Sequence, residues 1–273
     1  MQIAGSILIL VLAVLLAAQV LASGLFRAKG LKLAARLRQG PSGRDRSADL
    51  PPLVAAFAQR AGAEAGAGLA AVRFNQAGEL RLKRGGHFVK VAARQISGIG
   101  RSGFLWQARQ SVGPFTKLRV IDALVEGDGL LDARLLGSIP VARARDVETT
   151  LAEAYRYLAE LPWAPDAILG NPDLQWRMTE DRVAEVKLDT RVGTARVTFR
   201  FDAAGDITEM EARDRPARDQ KGRAVRYDWR GRYGEYAQIG TRRLPAYGEV
   251  GYVYPEGYEI YFRGRISDYR PAT

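Results

Sequence analysis

His87 is the only histidine in the 273-residue chain, and cysteine is absent. Thiolate nucleophiles, disulfides and cysteine-ligated metal centres are therefore excluded. A Ser-His-Asp triad would have to use His87, which follows Gly85-Gly86 as a turn residue, and no G-x-S-x-G elbow supplies its serine. A metal site built on one histidine needs several convergent carboxylates, and none are spaced for it. Gly98-Ile99-Gly100-Arg101-Ser102-Gly103 matches G-x-G-x-x-G, with Asp122 about 20 residues beyond. A dinucleotide loop must open a helix, whereas Phe104 to Ala108 reads as strand and Pro114 forbids a long helix, so a flexible hairpin is expected. Glu153 and Glu160 sit seven apart on one helix face, about 10 Å apart along the axis. That is too far for most shared-proton chemistry, and a solvated face is the expectation.

Arg213 to Arg232 carries eight basic residues against three aspartates. Tyr227, Trp229 and Tyr233 alternate with these charges, so the rings point to a core and the arginines outward. Such a surface fits acidic headgroups better than bases, and no nucleic-acid partner is expected. Trp106, Trp163 and Trp176, with Tyr155 and Tyr157, are first of all core residues. A curved sheet crossed by a helix can also make them the walls of an apolar cavity.

The elements that position these residues change period along the chain. Asp49, as a cap, and Pro51-Pro52 open a short helix with Leu53, Val54, Phe57 and Ala61 on one side, ended by the Gly/Ala piece 61–68. From Leu69 the period is two: Val72 and Phe74 alternate with polar residues, Ala77-Gly78 turns the chain, and Leu80 and Leu82 continue. Further strands are expected at 88–91, 103–112, 118–125 and 130–136, with a tight turn at Glu126 to Gly129. Asp146 caps one long helix whose Leu151, Ala154, Tyr155, Leu158 and Leu161 form a stripe, stopped by Pro162. Strands resume at Leu174 and Trp176 and recur to 258–266. Roughly a dozen short strands with one substantial helix predict an α+β domain on a curved, mostly antiparallel sheet.

The N-terminus reads differently. Ile3 to Leu25 is almost unbroken apolar sequence, centred on Leu8, Leu12 and Leu16, and Arg27 is the first charged side chain. About 20 such residues span the ~30 Å hydrocarbon core. A signal peptide would need a basic start that Met1 to Ser6 lacks, so an uncleaved anchor is expected. Arg27, Lys29, Lys32, Arg36 and Arg38 follow at once, and with Arg44 and Arg46 they stand against Asp45 alone. That places six of the eleven net positive charges beside the span. The positive-inside rule then sets the N-terminus outside and the domain in the cytoplasm. Leu25, Phe26, Leu31, Leu33 and Leu37 among the charges suggest a helix lying on the lipid surface, with the five basic residues on headgroups. The breaker-rich stretch Gln39 to Ser47 reads as a linker. The expected organisation is 1–26 transmembrane anchor, 27–48 basic juxtamembrane linker and 49–273 β-rich soluble domain, with the last folding alone from near Ser47.

Several segments together resemble a bacterial family catalogued only as a domain of unknown function. They are Trp106-Gln107-Ala108, Asp122 to Val141 with Gly127-Asp128-Gly129 and Leu135-Leu136-Gly137, Tyr157-Leu158-Ala159-Glu160 followed by Trp163, and Phe201-Asp202. Gly248-Glu249-Val250 and Phe262-Arg263-Gly264-Arg265-Ile266 complete the set, so the likeness covers Leu50 to the C-terminus. The fold this implies is similar to the half-barrel of the periplasmic, LolA-like lipoprotein carriers, a curved sheet closed by helices over an apolar cavity. The export of such carriers opposes the inward orientation that the charges give. The expected function is a non-enzymatic, membrane-anchored module binding an apolar or lipid-like ligand. Trp106, Trp163 and Trp176 would wall its cavity, Glu160 would be its polar group, and membrane lipids would be its partners, without metal or cofactor. A structural protein with a self-filled core and a carboxylate-based hydrolase are the alternatives. Carboxylates converging in the cavity would favour the hydrolase.

Overall fold

Strands dominate the computed structural model, which describes residues 2–64, 66–112 and 115–272. They are β1 (Ala71–Arg81), β2 (Phe88–Gly98), β3 (Phe104–Val112), β4 (Phe115–Val125), β5 (Asp128–Leu135), β6 (Ile139–Ala144), β7 (Leu174–Glu180), β8 (Val183–Thr190), β9 (Gly193–Phe201), β10 (Ile207–Arg218), β11 (Ala224–Ile239), β12 (Arg242–Tyr254) and β13 (Gly257–Pro271). They form one antiparallel sheet in the order β6-β5-β4-β3-β2-β1-β13-β12-β11-β10-β9-β8-β7. Every neighbouring pair except β1 with β13 is a sequence hairpin, so the sheet is two meanders joined along β1 and β13. The turn at Glu126 and Gly127 has φ of 55° and 80°, the paired left-handed geometry of a two-residue hairpin. The expected curved antiparallel half-barrel is the observed architecture.

The chain crosses from β6 to β7, the two ends of the sheet, through helices α3 (Val147–Ala159) and α4 (Pro165–Gly170). Asp146 caps α3 by accepting from the Thr149 amide at 2.8 Å, as the sequence indicates. Leu151, Ala154 and Leu158 of α3 and Ile168 and Leu169 of α4 are buried in the main core on the concave face. Phe57 of α2 (Pro52–Arg60) closes one end of this core against Phe201 and Tyr236, with ring centroids 6.0 and 6.3 Å away.

A second core lies on the convex face. Helix α1 (Gln2–Arg38) is continuous through the expected boundary at residue 26. Its Phe26, Ala34 and Leu37 are buried against Ile96, Leu105, Ile121, Ala123 and Val125. Gly30 faces Gln107, whose Nε2 lies 2.2 Å from where a Cβ would sit. The stretch after the span therefore packs one face on the sheet. The outward positions of β2 to β5 carry apolar side chains that need cover, and Phe26, Leu33 and Leu37 supply it; only Leu25 and Leu31 stay exposed.

Three further expectations are corrected. Ala77-Gly78 does not turn the chain; β1 runs through it, and Gly78 pairs with Gly264 where a Cβ would meet Arg263 O at 2.8 Å. Asp49 does not cap α2; it ends a 3-10 turn (Ser47–Asp49) and pairs with Arg46, and Pro51 takes the cap position. The segment 39–47 is not a free linker. Gly43 N donates to Leu69 O, Arg44 N and Arg46 N donate to Gly170 O and Leu169 O, and the Arg46 guanidinium reaches Asn171 O and Pro172 O. These bonds satisfy carbonyls left open at the end of α4. Pro114, which argues against a helix after the glycine loop, and Ala65 lie outside the described residues.

Candidate functional site

The glycine-rich segment 98–103 is a hairpin between β2 and β3, not a phosphate loop. Its glycines serve packing: a Cβ on Gly100 would lie 2.3 Å from Pro41 O and 2.4 Å from Ser42 O, where the 39–47 strap crosses. His87 is exposed in the turn before β2. No cluster of three or more His, Asp or Glu placed to hold a metal occurs among the described residues.

Chemistry gathers instead on the concave face, under α3. Strand register sets Gln95, Trp106, Asp122 and Leu131 side by side across β2, β3, β4 and β5. Above this row, Glu153, Arg156 and Glu160 descend from α3 at helical spacing. The Arg156 guanidinium bridges two carboxylates: it donates to Asp122 and, through Nε at 2.9 Å, to Glu160 Oε1. It also lies over the Phe104 and Trp106 rings at 4.8 and 5.0 Å. Gln95 Nε2 donates to the other Glu160 oxygen at 2.5 Å, and Trp106 Nε1 donates to Gln76 Oε1 at 2.6 Å.

The solvated face expected for Glu153 and Glu160 is thus overturned. Both point inward, and Glu153 is 7% exposed. Burial pushes the Glu153 carboxyl well above its ordinary range and the neighbouring Asp122 charge adds to this, while Arg156 and Arg215 pull the other way. Glu153 Oε2 and Asp122 Oδ1 are both buried without a partner atom. A proton on Glu153 satisfies both, since it makes Glu153 a donor to Asp122. Burial lowers the pKa of Arg156, but Glu160 and Asp122 outweigh it and raise the pKa above its ordinary value. With Glu153 neutral, Asp122 and Glu160 balance Arg156 and Arg215.

Arg215 reaches this site by a backbone device. Register slips between Ala212 and Arg215 against β11, and Asp214 takes a φ of 51°. The extra residue turns Arg215 onto the concave face, where regular alternation would have sent it outward. There it is 6% exposed, donates to Tyr252 OH and to Ala152 O at 3.1 Å, and lies 4.4 Å over Trp229. Its Nε has no partner.

Between these groups and β10 to β13 lies a cavity of about 220 Å³. Trp106, Trp163, Trp229, Tyr233, Tyr261 and Phe262 give it aromatic walls, and Asp122, Arg156, Glu160 and Arg215 give it a polar end. Trp163 is fixed by Nε1 donating to Pro245 O at 2.8 Å and by Gly248, whose Cβ would lie 2.6 Å from the indole. Three residues singled out from the sequence, Trp106, Glu160 and Trp163, therefore meet in one cavity. Trp176 does not; it stacks on Phe199 near the far edge, with centroids 5.8 Å apart. Tyr261, stacked on Tyr252 at 5.2 Å, separates the cavity from a rim pocket of about 700 Å³ that includes Arg81, Arg84, Arg218 and Arg223. Asp122 is readable from the sequence as an inward carboxylate, flanked two residues away by Val120 and Leu124. Trp229 shows in the alternation of β11. Arg215 carries no such signal, because a bulge reverses its phase.

The basic residues after the span divide. Lys29 pairs with the buried Asp132 at 2.9 Å and Arg36 with Glu126 at 3.5 Å, so these two serve the domain. Arg27, Lys32 and Arg38 are exposed. Leu8, Leu12, Leu16 and Leu25 are 60%, 56%, 65% and 63% exposed, so no described part of the protein covers them. The Ile3 side chain lies outside the described residues.

The chain belongs to a family described as a family of unknown function (DUF6544), which matches residues 41–264. No curated protein matches its sequence. Among solved structures it is similar to a LolA superfamily protein from Nitrosomonas europaea, at 11% identity and a TM-score of 0.44, covering 79% of this chain and 91% of that one. It is also similar to a DUF1329 family protein from Desulfovibrio piger, at 10% identity and a TM-score of 0.45, covering 81% and 90%.

Proposed function

We propose that this protein is a membrane-anchored, non-enzymatic module that holds an apolar or lipid-like ligand in the half-barrel cavity. One observation carries the reading: an aromatic-walled cavity ends on a charged group made of Arg156, Arg215, Asp122 and Glu160. A ligand with an apolar body and a polar or acidic end uses both features. Its volume, below the ~300–1,000 Å³ of drug-sized sites, suits one chain segment rather than a two-chain lipid. The anchor is α1, the one helix among the described residues long and apolar enough to cross a membrane, its most apolar 18-residue window having a mean hydropathy of 2.6. The basic residues from Arg27 onward favour an outside N-terminus and a cytoplasmic domain.

A carboxylate-based hydrolase is the second reading, favoured by Asp122 and Glu160 both reaching the cavity. Against it, Arg156 engages both carboxylates, which leaves neither free as a base. Mass spectrometry of the detergent-extracted full chain tests the first reading. Wild type should carry an amphiphile that Val120→Trp, which fills the cavity, does not. Empty preparations of both would leave the self-filled structural protein standing.

A further inference from the structure

Most arginines of this protein are paired with carboxylates; among the described residues nine have no ion-pair or side-chain hydrogen-bond partner, and Arg27, Arg94, Arg109 and Arg119 are four of these. All four line one groove of about 440 Å³ on the convex face, beside α1. Burial lowers the pKa of Arg119, and repulsion from Arg27 and Arg109 lowers it further. Four cations facing one another without an anion make a site that lacks its counter-charge.

Next to the groove is the β5–β6 hairpin. Its Leu136, Ile139 and Val141 are 53%, 53% and 51% exposed, the largest apolar side chains left uncovered outside α1 in this part of the fold. Groove and hairpin touch: a Cβ on Gly137 would lie 3.0 Å from Arg119 Cδ and 2.8 Å from Ser23 Oγ. The hairpin also holds the apolar helix. Gln19 Nε2 donates to Leu136 O at 2.9 Å, and Ser138 Oγ donates to Gln19 Oε1. Gln19 is thereby satisfied within an apolar run where an unpaired amide would be costly. Along the helix axis Gln19 lies about 9 Å to the membrane side of Leu25, and Arg27 about 12 Å from Gln19 on the domain side.

We propose that this face docks on an anionic bilayer surface, with the Leu136–Val141 hairpin dipping into the interface and the Arg27, Arg94, Arg109 and Arg119 groove seated on lipid headgroups. The proposal rests on α1 spanning the membrane. The hairpin depth matches the roughly 5–10 Å insertion of interfacial apolar faces. Apolar tip and cationic groove stand in the order in which a bilayer presents acyl chains and then headgroups. Each arginine facing such a surface strengthens docking by about fivefold, and salt screens the effect. Docking fixes the domain against the membrane.

The absence of cysteine allows a clean test in the full chain. Val141→Cys and Leu15→Cys carry an environment-sensitive fluorophore in lipid nanodiscs containing a lipid-borne quencher. In discs with a quarter phosphatidylglycerol, both labels should be quenched. Quenching at position 141 should fall in phosphatidylcholine alone and in the Arg94→Gln, Arg109→Gln, Arg119→Gln triple variant, while position 15 is unchanged. A water-like, unquenched label at 141 beside a quenched label at 15 overturns the docking and leaves the anchor intact. An unquenched label at 15 overturns the anchor, and the docking with it.

Discussion

Replacing Glu153 by glutamine should make the protein more stable at alkaline pH and leave it unchanged in acid. Glu153 lies under α3 between Asp122 on β4, Arg156 on its own helix and Arg215 on β10, with its carboxyl well above the ordinary value of 4.5. A carboxyl raised on folding contributes its full share of stability below the unfolded pKa and loses it as pH climbs through the folded one. One proton is involved, so the loss runs at about 1.4 kcal/mol per pH unit between those two values. A glutamine amide at this position cannot titrate, yet it still donates to the unpartnered Asp122 oxygen. The difference in unfolding free energy between variant and wild type should therefore start near zero at about pH 4 and grow with pH at up to that slope. Subtracting the two curves removes the other carboxylates. Urea unfolding of the full chain in detergent, followed by tryptophan emission at several pH values, reads the difference directly. A pH-independent difference, or a glutamine variant weaker than wild type in mild alkali, would refute the protonated carboxyl.

Gly100→Ala should lose roughly 1–3 kcal/mol, because its Cβ meets two backbone oxygens of the 39–47 strap that cannot yield as a side chain would; unchanged melting would show the strap to be loose. A fragment starting at Ser47 uncovers Ile96, Leu105, Ile121 and Val125 and should self-associate, whereas one starting at Ser23 keeps Phe26, Ala34 and Leu37 in place and stays monomeric. Light scattering distinguishes the two, and a monomeric Ser47 fragment with wild-type melting would mean that the convex core adds nothing. Trp163→Ala should lose about 3–5 kcal/mol as it abandons Phe74 and Tyr233, 6.1 and 5.9 Å away, whether or not a ligand is bound. Melting of the variant in detergent checks this, and a loss below about 1 kcal/mol would mean a loosely packed indole. For orientation, a C-terminal alkaline phosphatase fusion should be inactive; an active one would move the domain to the outer side.

Where the sequence is legible, a single local rule decides the outcome. Asp146, the α3 stripe, the Glu126-Gly127 turn and the alternation of β9 and β11 depend on near neighbours alone. What escapes depends on contacts remote in the chain. Gly78 sits in a strand because Phe262 and Arg263 approach it from β13, not because the chain turns there. The polar stretch 39–47 resembles a linker until the open carbonyls of α4 claim it. Phe26, Leu33 and Leu37 fit a lipid surface as well as a sheet; the outward apolar phase of β2 to β5 decides between them. At the site, Trp106 and Trp163 follow from the concentration of aromatic residues, whereas Glu160 enters only with the half-barrel reading, its spacing alone suggesting a solvated face. Glu153 reads as solvated because its helix face looks polar, and the counter-charges that bury it lie on other strands. Trp176 groups with the other tryptophans by type, yet its strand stands at the far edge.

Whether the cavity takes an apolar chain is decided by a chain-length series. Single-chain carboxylates of increasing length, titrated into the full-length protein in nanodiscs, should shift tryptophan emission saturably. Burying each CH₂ gains about 0.8 kcal/mol, so affinity should rise by about fourfold per methylene until the cavity is full and then level off. Val120→Trp should abolish the signal. Binding that ignores chain length and vanishes in high salt would place the ligand on the arginine surface around Arg230, and the absence of any saturable shift would make the core self-filled; either result rules out a chain-binding cavity.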